Sequence, residues 1–122
     1  MKMGVNLCGV ELKNPVIAAS GTFGFGREYD KFYNVADLGG ISVKGLTRLP
    51  RLGNPPHRIT ETPSGMLNSV GLQNPGVEAF IENDLPWLLE KGAVVVANAA
   101  GSTEDDYCYM AERLSQTGIH IL

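Results

Sequence analysis

KGAVVVANAAGSTEDD, residues 91–106, contains the strongest fold signal in the chain. Its centre, 93–97, is a continuous run of small and β-branched apolar residues, which is typical of a parallel strand buried on both faces. An amide, Asn98, follows the run directly. Ser102 and Thr103, with acidic residues behind them, have the composition of a helix N-terminus. The stretch therefore predicts a buried strand, a short turn and a helix.

The same alternation of strand and helix extends outward from this stretch in both directions. Further strands are predicted at 16–19, 41–43 and 119–122, and helices at 27–35, 75–91 and 102–116. Pro86 is expected to kink or divide the second helix. A short hairpin, Val5–Leu7 with Val10–Leu12, precedes them all. This order predicts an α/β fold with a parallel sheet.

Residues 46–76 form an unusually long connection, rich in proline and glycine and low in charge. Connections of this length in a compact domain are functional or disordered. The apolar residues and low charge of this one favour order, and no regular element is predicted within it.

Composition limits the classes of function. The 122 residues carry a net charge of −3, with 43% hydrophobic and 19% charged residues, which is typical of one small globular domain without nucleic-acid affinity. The chain has one local basic cluster, formed by Arg48, Arg51 and Arg58. It is more simply interpreted as solvent-exposed surface charge than as a phosphate-binding site. No membrane span or secretory signal is predicted. Cys8 and Cys108 lack the spacing of a zinc site, and two free thiols favour the cytoplasm.

A small residue, an amide or a lysine follows each of the first three strands predicted for the sheet. These are Ser20, then Lys44 with Gly45, then Asn98. The carboxyl ends of parallel strands form the active face of barrels and open sheets. A carboxamide can pair with an imide edge, and a lone lysine can stabilise a ring that becomes anionic on reduction, as a flavin does. The pattern therefore favours a flat heterocycle at this edge.

Simpler interpretations of these residues remain open. Lys44 can be an ordinary surface lysine, and Asn68, Gly71, Asn74 and Asn98 can be turn-forming residues only. The glycines at 21–26 fit neither the dinucleotide fingerprint nor a P-loop.

Three stretches resemble the class 1 dihydroorotate dehydrogenases: NPVIAASGTFGFGREY, ISVKGLTRLPRLGNPPHRITETPSGMLNSVGLQNPG and ANAAGS. Residues 65–76, GMLNSVGLQNPG, are most similar to the class 1B catalytic subunit, which passes electrons to NAD. The resemblance implies that residues 1–122 are the N-terminal part of a TIM (β/α)8 barrel that binds FMN, preceded by a short hairpin. It implies oxidation of dihydroorotate to orotate in pyrimidine biosynthesis, and a partner subunit with FAD and a [2Fe–2S] cluster in a heterotetramer.

The resemblance also assigns individual roles. Ser20, Lys44, Gly45 and Asn98 would contact FMN. The substrate ring would lie against Lys44 and the segment 68–72, whose members are Asn68, Ser69, Val70, Gly71 and Leu72.

The catalytic cysteine of the family follows the strand that matches 119–122, so its position would fall beyond Leu122. Neither Cys8 nor Cys108 matches it, and no catalytic residue is predicted within the chain. A full barrel has about 250 residues, so we expect the chain alone to be unstable or self-associating and inactive. Two alternatives stay open: a different FMN barrel, such as the pyrimidine-reducing domain of dihydropyrimidine dehydrogenase, and a short non-catalytic binding protein.

Overall fold

The computed structural model describes residues 3–122, which form seven short strands and four α-helical segments. The strands are β1 (Val5–Leu7), β2 (Val10–Leu12), β3 (Ile17–Ala18), β4 (Gly40–Ser42), β5 (Ile59–Thr62), β6 (Gly65–Asn68) and β7 (Val95–Val96). The helices are α1 (Ser20–Phe23), α2 (Val77–Ala79), α3 (Leu85–Glu90) and α4 (Glu104–Ser115), with a π turn, Phe80–Asp84, joining α2 to α3. No helix among the described residues is long and apolar enough to cross a membrane.

The central sheet is parallel, and its strands are adjacent in the order β3, β4, β7. Ile17 pairs with Gly40, and Ile41 pairs with Val95. A further parallel bridge joins Val96 to Ile121, so the next segment of the chain begins to add on the same side. In a β/α barrel, neighbouring strands of the sheet follow the order of the chain throughout, whereas in a doubly wound sheet that spatial order reverses at one point. The α/β prediction with a parallel sheet is confirmed, and within residues 3–122 the sheet does not close.

One face of this sheet packs against the helices. Ile41, Val43 and Val95 are fully buried there. They belong to one cluster with apolar residues of the helical segments, namely Phe80, Leu88, Met110 and Leu114. Met110 and Leu114 are four residues apart on α4 and therefore lie on the same side of it. Because side chains alternate along a strand, the residues between the buried ones point to the opposite face.

Helix α4 begins as its sequence predicts. The Thr103 hydroxyl accepts a hydrogen bond from Asp106 N at 3.2 Å, and Asp106 Oδ2 accepts one from Thr103 N at 3.2 Å, which is a capping box. Asp106 Oδ2 also accepts one from Ser102 N at 3.0 Å. The Ser102 bond, followed by those to Thr103, holds the pKa of the Asp106 carboxyl below its usual value.

The prediction of a helix over 27–35 was wrong. The structure has only two 3₁₀ turns there, Tyr29–Lys31 and Val35–Asp37. The Asn34 side chain accepts a hydrogen bond from Ala36 N at 3.2 Å, which starts the second turn and interrupts any continuous helix. The side chain of Phe32 is 83% exposed, so the segment has no continuous apolar stripe to hold a helix on the core.

The long connection 46–76 also differs from expectation because it contains the antiparallel hairpin β5–β6. Ile59 pairs with Asn68 and Thr62 with Gly65, across a two-residue turn at Pro63 and Ser64. Exposed residues predominate on both strands, so the alternation of apolar and polar residues that identifies a half-buried strand is missing.

The helix predicted over 75–91 and the strand predicted over 119–122 are confirmed in part. The helical segment starts at Val77, and the π turn comes just before Pro86. A proline removes one helical hydrogen bond and crowds the preceding turn, which explains a local change of helix type at this point. The final strand is represented by the bridge at Ile121 alone.

Candidate functional site

Lys44 and Asn98 lie side by side at the carboxyl edge of the central sheet. Val43 and Ala97, the residues directly before them, are buried in the core. Side-chain alternation therefore directs Lys44 and Asn98 to the face opposite the helices. Because β4 and β7 are parallel neighbours, both side chains emerge at the same edge. Ser20 follows β3 at this edge as the first residue of α1, and its carbonyl accepts a hydrogen bond from Gly24 N at 3.3 Å.

Gly45 is the point where this edge meets the loop that precedes α2. A Cβ atom on Gly45 would lie 2.9 Å from Leu72 Cδ1 and 3.5 Å from Asn98 Nδ2. The absence of a side chain thus lets Leu72 approach the end of β4. Leu46 N donates to Asn98 O at 2.8 Å, which ties the two strand ends together beyond the regular ladder. Gly45, Leu72 and Asn98 therefore form one compact cluster next to Lys44.

The backbone of Leu72 has φ of +54°, a left-handed conformation that costs a non-glycine residue about 1–3 kcal/mol. Asn74 holds it there, since Asn74 Nδ2 donates to Leu72 O at 2.9 Å. Asn74 is itself buried and bonds across to Thr47, just after β4. The sequence allowed a turn-forming role for Asn74, and the structure adds that it joins the loop to the strand end. Its position before Pro75-Gly76 gave no sign of that long-range contact.

The segment 68–71 lies against a different part of the chain. Ser69 N donates to Arg58 O at 2.7 Å, and Asn54 N donates to Val70 O at 3.0 Å. Gly71 has φ of +77°, and a Cβ there would lie 2.8 Å from Asn54 N. Asn68, at the end of β6, and Ser69 line a cleft of about 290 Å³ beside β5. No hydrogen bond among residues 3–122 links the Asn68 side chain to Lys44 or Asn98.

Lys44 lines a separate cleft of about 540 Å³, whose wall includes Gly24, Phe25, Leu52 and Asp84. Gly24 O accepts a hydrogen bond from Lys44 N at 3.1 Å and fixes the backbone at the mouth of this cleft. In the part of the chain that the structure describes, Lys44 belongs to none of the ion pairs, and the Asn98 carboxamide has no hydrogen-bond partner. One ammonium and one free carboxamide are therefore available at the sheet edge.

This donor set suits a flat ring with carbonyl and N–H groups that gains negative charge. The carboxamide provides a donor and an acceptor, and the ammonium provides the positive charge. Within residues 3–122 no group of His, Cys, Asp and Glu is arranged to hold a metal ion. Cys8 lies in the turn between β1 and β2, and Cys108 lies on α4, both exposed and on elements outside the sheet edge. The residues present fit a flavin better than a metal ion.

The family model described as dihydroorotate dehydrogenase matches residues 2–122. A protein of Thermoanaerobacter pseudethanolicus is 55% identical over 119 residues, and one of Petrotoga mobilis is 53% identical over 118; these matches cover 98% and 97% of this chain. A protein of Geobacillus kaustophilus is 50% identical over 122 residues, or 99% of the chain. Each is named dihydroorotate dehydrogenase B (NAD(+)), catalytic subunit, in agreement with the class 1B resemblance. The chain spans 39% of the length of each of these relatives.

A solved structure supports the fold. The crystal structure of DHODH in complex with ferulenol from Eimeria tenella superposes with a TM-score of 0.67 at 24% identity, over 93% of this chain and 34% of that chain. That enzyme is a TIM barrel, so the sequential parallel sheet described above corresponds to part of a barrel wall, as predicted. From the family match over nearly all its length and from relatives at half identity or above, the chain belongs to the dihydroorotate dehydrogenase family.

Proposed function

We propose that this protein provides flavin- and pyrimidine-binding residues of an NAD-linked dihydroorotate dehydrogenase, which oxidises dihydroorotate to orotate in pyrimidine biosynthesis. The observation that carries the proposal is the meeting of Lys44, Gly45 and Asn98 with Leu72 at the carboxyl edge of the sheet. Family membership and the names of the relatives agree with it.

FMN is the cofactor that this edge would hold, through Ser20, Lys44, Gly45 and Asn98. When bound, FMN supplies the acceptor for the hydride that leaves dihydroorotate. The Lys44 ammonium offsets negative charge that develops on the ring, and the Asn98 carboxamide orients the ring by donating and accepting hydrogen bonds. Gly45 lets the loop of Leu72 close onto the strand end.

The substrate would lie between Lys44 and the segment 68–72. Positive charge at Lys44 attracts the substrate carboxylate, while Asn68, Ser69, Val70, Gly71 and Leu72 present amide and backbone groups to the uncharged ring. Asn68 and Ser69 line the neighbouring cleft, so their contribution requires the β5–β6 hairpin to face the same ligand. We assign no proton-transfer role to Cys8 or Cys108.

Electrons would leave through a second subunit that carries FAD and a [2Fe–2S] cluster, in a cytoplasmic heterotetramer, and reach NAD. The relatives support a separate electron-transfer subunit, because each is named as the catalytic subunit of an NAD-linked enzyme.

A chimaera tests the proposal directly. Residues 3–122 replace the matching segment of the Thermoanaerobacter pseudethanolicus catalytic subunit, and purified chimaera is assayed for dihydroorotate-dependent reduction of a dye and for flavin absorbance. We expect a yellow, active protein in which Lys44→Ala lowers turnover about 100-fold, the size of effect seen when one preorganised electrostatic group is removed.

The control variant is Lys31→Ala, an exposed lysine of the first 3₁₀ turn, which should leave turnover unchanged. Full activity of Lys44→Ala, or turnover of dihydrouracil in place of dihydroorotate, would contradict the proposal.

A further inference from the structure

Arg27 contacts three residues, one of which, Asp84, lines the Lys44 cleft. Its Nε lies 2.7 Å from Asp84 Oδ1, and its Nη2 donates to Asn83 O at 2.6 Å. Its guanidinium lies over the Trp87 ring, 4.6 Å from the centroid. The loop after α1 is thereby fastened to the π turn and to α3.

Asp84 is the acidic residue on that wall. Its side chain is only 16% exposed, and it lines the same cleft as Lys44. Asp84 is paired with Arg27, whereas Lys44 belongs to none of the ion pairs found among residues 3–122. An ammonium and a partly buried carboxylate in one cleft attract each other more strongly than in bulk water. Two cations, Lys44 and Arg51, line the cleft with this carboxylate, and its ion-pair partner is a third, Arg27.

We propose that Arg27 is a positioning residue that occupies the Asp84 carboxylate and thereby leaves the Lys44 ammonium available to a ligand in the cleft. The inference rests on the role proposed for Lys44 and deepens it. Without the guanidinium, Asp84 would draw the Lys44 side chain toward itself and compete with an anionic ligand for it.

A purely structural role for Arg27 makes a different prediction. Arg27 also steadies the loop whose Gly24 carbonyl binds Lys44 N, so its loss could simply loosen that backbone. Removal of the Asp84 charge would then not restore the availability of the Lys44 ammonium. If Arg27 is a positioning residue, the double variant Arg27→Gln with Asp84→Asn has a Lys44 ammonium that is available again, because no carboxylate is left to pair with it.

Amine acylation of the chimaera, purified and stripped of its flavin, separates these roles. The protein is treated with N-hydroxysuccinimidyl acetate, and labelling of Lys44 is followed by peptide mass spectrometry, with Lys13 and Lys31 in the same sample as internal references. Arg27→Gln keeps part of the aliphatic stem but removes the charged guanidinium that lies over Trp87. We expect it to slow labelling of Lys44 about fivefold, as a newly formed ion pair would, and we expect Arg27→Gln/Asp84→Asn to restore the original rate.

Lys91→Ala is the matched control. Lys91 also lies over Trp87, 5.9 Å from the centroid, and also forms a 2.7 Å ion pair, but its partner is Asp30, which does not line the cleft. Its loss should leave the labelling of Lys44 unchanged. An unchanged rate in Arg27→Gln, or a double variant as slow as the single one, would overturn the inference.

Flavin affinity of the chimaera distinguishes this failure from a failure of the proposed function. One outcome is that Lys44→Ala weakens flavin binding and turnover while Arg27→Gln fails to slow the labelling of Lys44, or the double variant fails to restore it. In that case only the role of Arg27 is refuted. If Lys44→Ala has no effect, the proposed function fails whatever the Arg27 series shows.

Discussion

Replacement of Asn74 by alanine should destabilise the protein more than any exposed amide substitution in the same loop. Asn74 Oδ1 accepts hydrogen bonds from Thr47 N at 3.1 Å and from Gly76 N at 2.9 Å. Its Nδ2 donates to Leu72 O at 2.9 Å and to Thr47 Oγ1 at 3.0 Å. The side chain is 95% removed from solvent, since the residue is 5% exposed. All four hydrogen-bonding positions of the carboxamide are therefore in use.

The expected loss follows from the groups that alanine leaves behind. The amides of Thr47 and Gly76 and the carbonyl of Leu72 each lose this partner, whereas the Thr47 hydroxyl still donates to Leu49 O at 2.6 Å. A buried group without a partner costs about 1–3 kcal/mol. Water entering the vacated space restores part of this, so we take the lower end of the range for three groups, about 3 kcal/mol. That is a large share of the roughly 5–15 kcal/mol by which domains are stable.

Urea unfolding of the chimaera, followed by circular dichroism, measures this loss. The free energy of unfolding falls by about 1–3 kcal/mol per molar urea, so a loss of about 3 kcal/mol should lower the urea midpoint by about 1–3 M. Asn54→Ala is the control, because Asn54 also bonds within this loop, through Nδ2 to Ser69 O at 2.9 Å, but is exposed. A change of less than about 1 kcal/mol in both variants would refute the view that Asn74 joins the loop to the strand end.

Three further outcomes are expected. Gly39→Ala should lower the unfolding free energy by about 3 kcal/mol or more, because its Cβ would lie 1.8 Å from Asn14 O, whereas Gly21→Ala, with nothing within 4 Å, should be neutral in urea unfolding. Thr103→Ala should cost about 1 kcal/mol, seen in thermal unfolding, because the capping box of α4 is lost. Arg113 on α4 donates to Glu78 Oε2 at 2.7 Å, and this bond, followed by the one from Tyr109, lowers the pKa of Glu78. The stabilising effect is therefore present above the unfolded pKa of 4.5 and is lost as pH falls through the lower folded value. The difference in urea midpoint between wild type and Glu78→Gln should therefore be largest near neutral pH and shrink as the pH falls below 4.5.

The sequence predicted those parts of the fold whose signals are local and strong. The run at 93–97 contains the parallel strand β7, in which Val95 is fully buried, and the Thr103 cap set the start of α4, because continuous apolar runs and helix capping leave clear patterns. The segment 27–35 was wrongly predicted as a helix and the hairpin β5–β6 was missed, because their exposed residues carry no periodic burial. Their conformation depends on turn chemistry and on contacts with distant parts of the chain.

The site was predictable in part for the same reason. Lys44 and Asn98 follow strands directly, so their position at the sheet edge required only that the strands be parallel. Leu72 and Asn74 could not be placed, because their contacts with Gly45 and Thr47 span 27 residues of chain in each case. The roles assigned to Ser20 and to the segment 68–72 stay predictions.

Just after β4 and β7, one residue packs in the core and the next belongs to the proposed ligand site. Val43 and Ala97 point into the helical core, and Lys44 and Asn98, one residue later along the chain, point away from it. Packing of Val43 and Ala97 fixes the backbone at the strand ends, and this rigid backbone in turn positions Lys44 and Asn98. A shift of one residue in register would bury the ammonium of Lys44 and expose Val43, at a cost that the apolar core makes prohibitive. The hydrophobic pattern of the strands therefore also determines which residues face the proposed ligand site, and side chains at this edge can change without any change in the core that supports them.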